Sequence, residues 1–133
     1  MMIAAATVVL TGATVPAKKE TTDIAPSTRE FMRAKLAVSQ KILEGLATED
    51  FDLITKNAEK LSELSKEPAW EVLANPDYQK YSVEFRRNVG ALAAAGKSRN
   101  LDGATLAYLK VTMDCMECHR YIRSNMPKTA SLR

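Results

Sequence analysis

Residues 101–125 read LDGATLAYLKVTMDCMECHRYIRSN, and the spacing of their apolar side chains decides the fold. Tyr108, Val111, Cys115, Cys118, His119 and Ile122 recur at steps of three and four, the period of one helical face. A strand would alternate at every second residue, and no β-alternating run longer than a few residues occurs anywhere in the chain. The stretch therefore reads as a helix, with Asp102 placed to cap its start.

Working back from it, the same period recurs. Ser27-Thr28-Arg29-Glu30 has the S-x-x-E form of a capping box and predicts a helix start. Phe31, Met32, Leu36, Val38, Ile42, Leu43 and Leu46 then form one wide apolar face. Ala47-Thr48-Glu49-Asp50 interrupts the pattern, and Thr48 is positioned to cap a second helix whose face is Phe51, Ile54, Ala58, Leu61 and Leu64. Pro68 and the Asn75-Pro76 pair bracket a longer connection holding Trp70, the only tryptophan. Tyr78, Tyr81, Phe85, Val89 and Leu92 mark a third helix ending near Gly96. Four amphipathic segments joined by short linkers predict an all-α, antiparallel four-helix bundle.

The chain has 133 residues, enough for one domain, and its 46% apolar and 26% charged residues are ordinary for a soluble globular protein. A formal charge of +3, with no arginine-rich block, argues against nucleic-acid binding. No run approaches the roughly 20 apolar residues of a membrane span. Residues 1–17 carry no charged side chain and end in Val15-Pro16-Ala17, just before Lys18-Lys19. That is the apolar core and small-residue cleavage site of a secretory signal peptide, although no Lys or Arg precedes the core. The expectation is a signal peptide over 1–17, a domain over 18–133, and a periplasmic or otherwise exported location.

Cys115 and Cys118 are the only cysteines and His119 the only histidine. Their C-x-x-C-H order is the attachment signature of a c-type haem. On a helix, residues three and four apart stand side by side, so both thiols and the imidazole project in nearly the same direction. The thiols can add across the two vinyl groups of one haem edge while the imidazole reaches the iron; Met116 and Glu117 turn away. Three other readings compete. A disulfide is held poorly by a helix at this spacing and leaves His119 unexplained. A thioredoxin-like pair needs a preceding strand. A structural zinc site usually takes four ligands, and the cluster supplies three. One covalent haem c is the expected cofactor.

A C-x-x-C-H in the last helix of an exported four-helix chain resembles the cytochrome c prime family and its Met-ligated, low-spin branch, over residues 27–125. Arg123, four residues after His119, is similar to a basic residue common beside the proximal haem face in that family. Trp70 near Pro68, between the second and third helices, is also similar. The resemblance implies a haem-binding bundle that is a monomer or a homodimer, dimers of related bundles often pairing through their first two helices.

With His119 as one axial ligand, the sixth iron position decides between electron transfer and small-gas binding. A second histidine is lacking. Of the methionines beyond the signal segment, Met113, Met116 and Met126 stand within seven residues of His119, and only Met32 comes from another helix. The first expectation is therefore a non-enzymatic electron carrier with His119 and Met32 as ligands, serving redox partner proteins. The alternative is a high-spin protein that binds NO or CO at an open distal site, with Met32 as packing. Arg29, Arg33, Arg120 and Arg123 are cations able to pair with haem propionates or to form a docking patch for an acidic partner, or else to sit on solvated helix faces.

Overall fold

The computed structural model describes residues 28–71 and 73–125. The predicted signal peptide, Ser27 and Met126 lie outside them. The described residues form four α-helices and no strand: α1 (Thr28–Thr48), α2 (Phe51–Leu64), α3 (Pro76–Lys97) and α4 (Leu101–Asn125), with a short 3-10 turn, Pro68–Trp70, between α2 and α3. This is the predicted four-helix architecture. Helix α1 packs along α2, α2 along α3, and α3 along α4, whereas α1 and α4 meet only sparsely.

The turns between α1 and α2 and between α3 and α4 are built alike. Glu49 and Arg99 take the left-handed conformation (φ 55 and 53). The next residue donates its amide back five positions, Asp50 N to Gly45 O at 2.9 Å and Asn100 N to Ala95 O at 3.0 Å. This closure satisfies carbonyls that a helix end leaves open. It also shifts the caps from where the sequence pattern put them. Thr48 is the last residue of α1 and donates its hydroxyl to Glu44 O; Asp50 caps α2 instead, accepting from Leu53 N at 2.9 Å. Likewise Asp102 lies inside the first turn of α4, favourable to the helix dipole, while Asn100 Oδ1 accepts from Gly103 N at 2.9 Å. Asn75 caps α3 by accepting from Tyr78 N, ahead of Pro76 at the first helical position.

The core runs the length of the bundle: Ile42, Ile54, Val89 and Leu92 are fully enclosed, joined by Val38, Ala58, Leu61, Ala104 and Val111. Each large aliphatic side chain so buried is worth about 1.5–3 kcal/mol. Helices α2 and α3 come close at Gly96, where a Cβ would stand 2.5 Å from Thr55 Oγ1. The predicted apolar face of α1 is corrected in one respect. Leu36 and Leu43 are 58% and 53% exposed, and the buried line runs through Phe31, Lys35, Val38 and Ile42. One charged residue thus lies on the core side and two leucines lie off it.

Candidate functional site

Where α1 and α4 separate, a pocket opens to solvent. Helix α4 lines it with Asp114, Cys115, Cys118, His119 and Ile122, and α1 with Met32 and Lys35. Trp70 closes it from the 3-10 turn, and Tyr78, Tyr81 and Phe85 from α3. Five of the residues that the sequence analysis assigned to one face of α4 or to the opposite helix therefore meet here: Cys115, Cys118, His119, Ile122 and Met32. Met32 is the fifth residue of α1, and His119 lies six residues before the end of α4. Both sit a turn or two from neighbouring helix ends. His119 is at the rim and exposed, whereas both cysteines are partly buried and unbonded to each other.

The aromatic wall is fixed by hydrogen bonds that position Trp70. Its Nε1 donates to Ser82 Oγ at 2.8 Å, its carbonyl accepts from the Tyr78 hydroxyl, and its ring stacks at a tilt on Phe85 with centroids 4.8 Å apart. Tyr81 packs on Tyr121, whose hydroxyl donates to Asn75 Oδ1 at 3.1 Å. The side of α4 next to α3 is tied by a buried polar pair, Asn88 Nδ2 donating to Asp114 Oδ2 at 2.8 Å. Tyr108 ties α4 to α1 through its hydroxyl and that of Ser39, 3.2 Å apart.

Lys35 is the residue the sequence analysis did not place. Its Nζ lies 3.7 Å from the Trp70 ring centroid and 5.0 Å from that of Phe85, a cation–π seat in the floor of the pocket. Burial lowers its pKa to about 8, against the opposing pull of Cys115 and Cys118. The readable signal was position: Phe31, Lys35, Val38 and Ile42 step by four, three and four. Burial pushes both thiols above their ordinary value, with the Lys35 charge acting the other way. Burial, then the charges of Lys35 and Arg123, lower His119, favouring the neutral imidazole that binds metals. Arg123 stands exposed one turn beyond His119, outside the pocket lining. Arg29, Arg33 and Arg120 are exposed as well.

The donor set fits a covalently bound haem: two unpaired thiols and one imidazole on adjoining turns of a single helix, facing an aromatic wall that also holds the Lys35 amine. The open side of the pocket is the loosely joined α1–α4 seam. Among the described residues no group of three or more His, Cys, Asp and Glu side chains is arranged to hold a bare metal ion. No helix among them is long and apolar enough to cross a membrane. Comparison of the chain with family models, curated proteins and solved structures gave no match.

Proposed function

We propose that this chain is an exported c-type cytochrome of the cytochrome c prime type, Met-ligated and low-spin, that carries single electrons between partner proteins. The observation that carries the reading is the convergence of Cys115, Cys118 and His119 from α4 with Met32 from α1 on one pocket. When bound, haem supplies a one-electron Fe(III)/Fe(II) couple, so no substrate bond is made or broken and the chain is not an enzyme.

Each residue has a distinct part. The Cys115 and Cys118 thiols would hold the group covalently as two thioethers, each S–H adding across one vinyl group with no oxidant needed. His119 offers a neutral ring nitrogen, and Met32 a thioether from the facing helix. Trp70 and Phe85 exclude water from the pocket floor. Arg123, beside His119, is the cation assigned to a haem carboxylate. Covalent attachment follows export, which is why the apolar segment 1–17 belongs to the same reading as a signal peptide.

The test is the absorption spectrum of the purified protein with and without Met32→Ala. The proposal expects a low-spin spectrum with a sulfur-to-iron band, converted by the substitution to high-spin with CO binding after reduction. A high-spin wild type would leave Met32 as packing and replace electron transfer by gas binding. A colourless protein would refute both.

A further inference from the structure

Helix α4 presents a second ordered face, opposite the one that lines the pocket. Leu106, Leu109, Met113 and Met116 are 56%, 55%, 53% and 56% exposed, although Ala104, Ala107, Val111 and Asp114 of the same helix are buried. Exposed Asp102 and Arg120 extend this stripe at its two ends. From Asp102 to Arg120 the steps are four, three, four, three and four, the seam of a coiled coil. The seam runs about 27 Å at roughly 1.5 Å per residue.

The order of residues along the seam is self-complementary. If a second α4 is laid against it antiparallel, about a two-fold axis beside Val111, Leu109 meets the partner's Met113, Leu106 meets the partner's Met116, and Asp102 meets the partner's Arg120. Apolar side chains thus face apolar ones, and opposite charges close both ends. Neither Asp102 nor Arg120 makes an ion pair within the described residues. The four Leu and Met side chains of the seam, each more than half exposed, present on the order of 400 Å², within the range for the largest apolar patch on a monomer.

We propose that the chain forms an isologous dimer through this outer face of α4, packed antiparallel on a second copy. The face lies away from the pocket, so the interface does not depend on the haem reading and differs from pairing through α1 and α2.

Sedimentation equilibrium of the full purified protein tests it, with circular dichroism to verify that each variant is helical. The wild type is expected to be a dimer and Leu109→Glu with Met113→Glu a monomer. Arg120→Glu alone should weaken the dimer by about tenfold, because it turns two attractive end pairs into repulsive ones. Asp102→Arg combined with Arg120→Glu should restore it, as only the antiparallel register brings those positions together. A monomeric wild type, a dimer untouched by the two glutamates, or a charge swap that fails to rescue would each overturn the proposal.

Discussion

The buried pair Asn88–Asp114 allows the environment beside Cys115 to be tested independently of any bound group. Asp114 is 8% exposed and Asn88 7%, with 2.8 Å between donor and acceptor. Burial raises the Asp114 pKa; the Asn88 hydrogen bond opposes the rise, Glu84 and Glu117 add to it, and Arg87 offsets it. A carboxyl whose folded pKa is raised contributes stability below its unfolded value of about 3.9, and that contribution is lost as pH rises through the folded value. At pH 7 the ionised Asp114 is therefore a cost that Asn88 partly offsets. Asn88→Ala strands the carboxylate and should cost about 1–3 kcal/mol at pH 7, a melting shift of roughly 4 °C per kcal/mol for a domain of this size. Asp114→Asn keeps an acceptor for Asn88 without the charge, so it should raise the melting temperature at pH 7 and leave it nearly unchanged at pH 3. Thermal melts followed by circular dichroism at the two pH values read both effects. If Asp114→Asn lowers stability equally at pH 7 and pH 3, the carboxylate is not a desolvated cost and the reasoning fails.

Gly96→Ala should destabilise by about 1 kcal/mol, as overpacking of about 1–3 kcal/mol against Thr55 outweighs the helix-propensity gain of about 1 kcal/mol; denaturant titration should show Thr55→Ala recovering most of the loss. Trp70→Phe strands the buried Ser82 hydroxyl and should cost about 1–3 kcal/mol, with Ser82→Ala in the same chain restoring part of it. Cys115→Ala with Cys118→Ala should yield protein from which acidified solvent extracts all haem, where the wild type retains it. Retention of haem by that double variant would remove the thioethers from the account.

Helix number and order were legible because each helix carries its own three–four period, and the candidate cluster on α4 was legible because three residues of two rare types stand within one turn and a half. Met32 was legible as the methionine supplied by a different helix. The caps were not. Thr48 and Asp50 are both capping residues, and the left-handed Glu49 between them gives the role to Asp50. The rotation of α1 was not legible either. Leu36 and Leu43 sit one position round from Lys35 and Ile42, and hydrophobicity alone favoured them over a lysine. Lys35 lies inside because its stem crosses apolar surface and its amine finds the faces of Trp70 and Phe85. That contact joins residues far apart in sequence, which no local period records.

The most direct test of the central claim is the intact mass of the exported protein under denaturing conditions, after treatment with a thiol-alkylating reagent. The account predicts a chain beginning near Lys18 that carries the mass of one haem and takes up no alkyl group. A bare polypeptide with Cys115 and Cys118 both alkylated would contradict it.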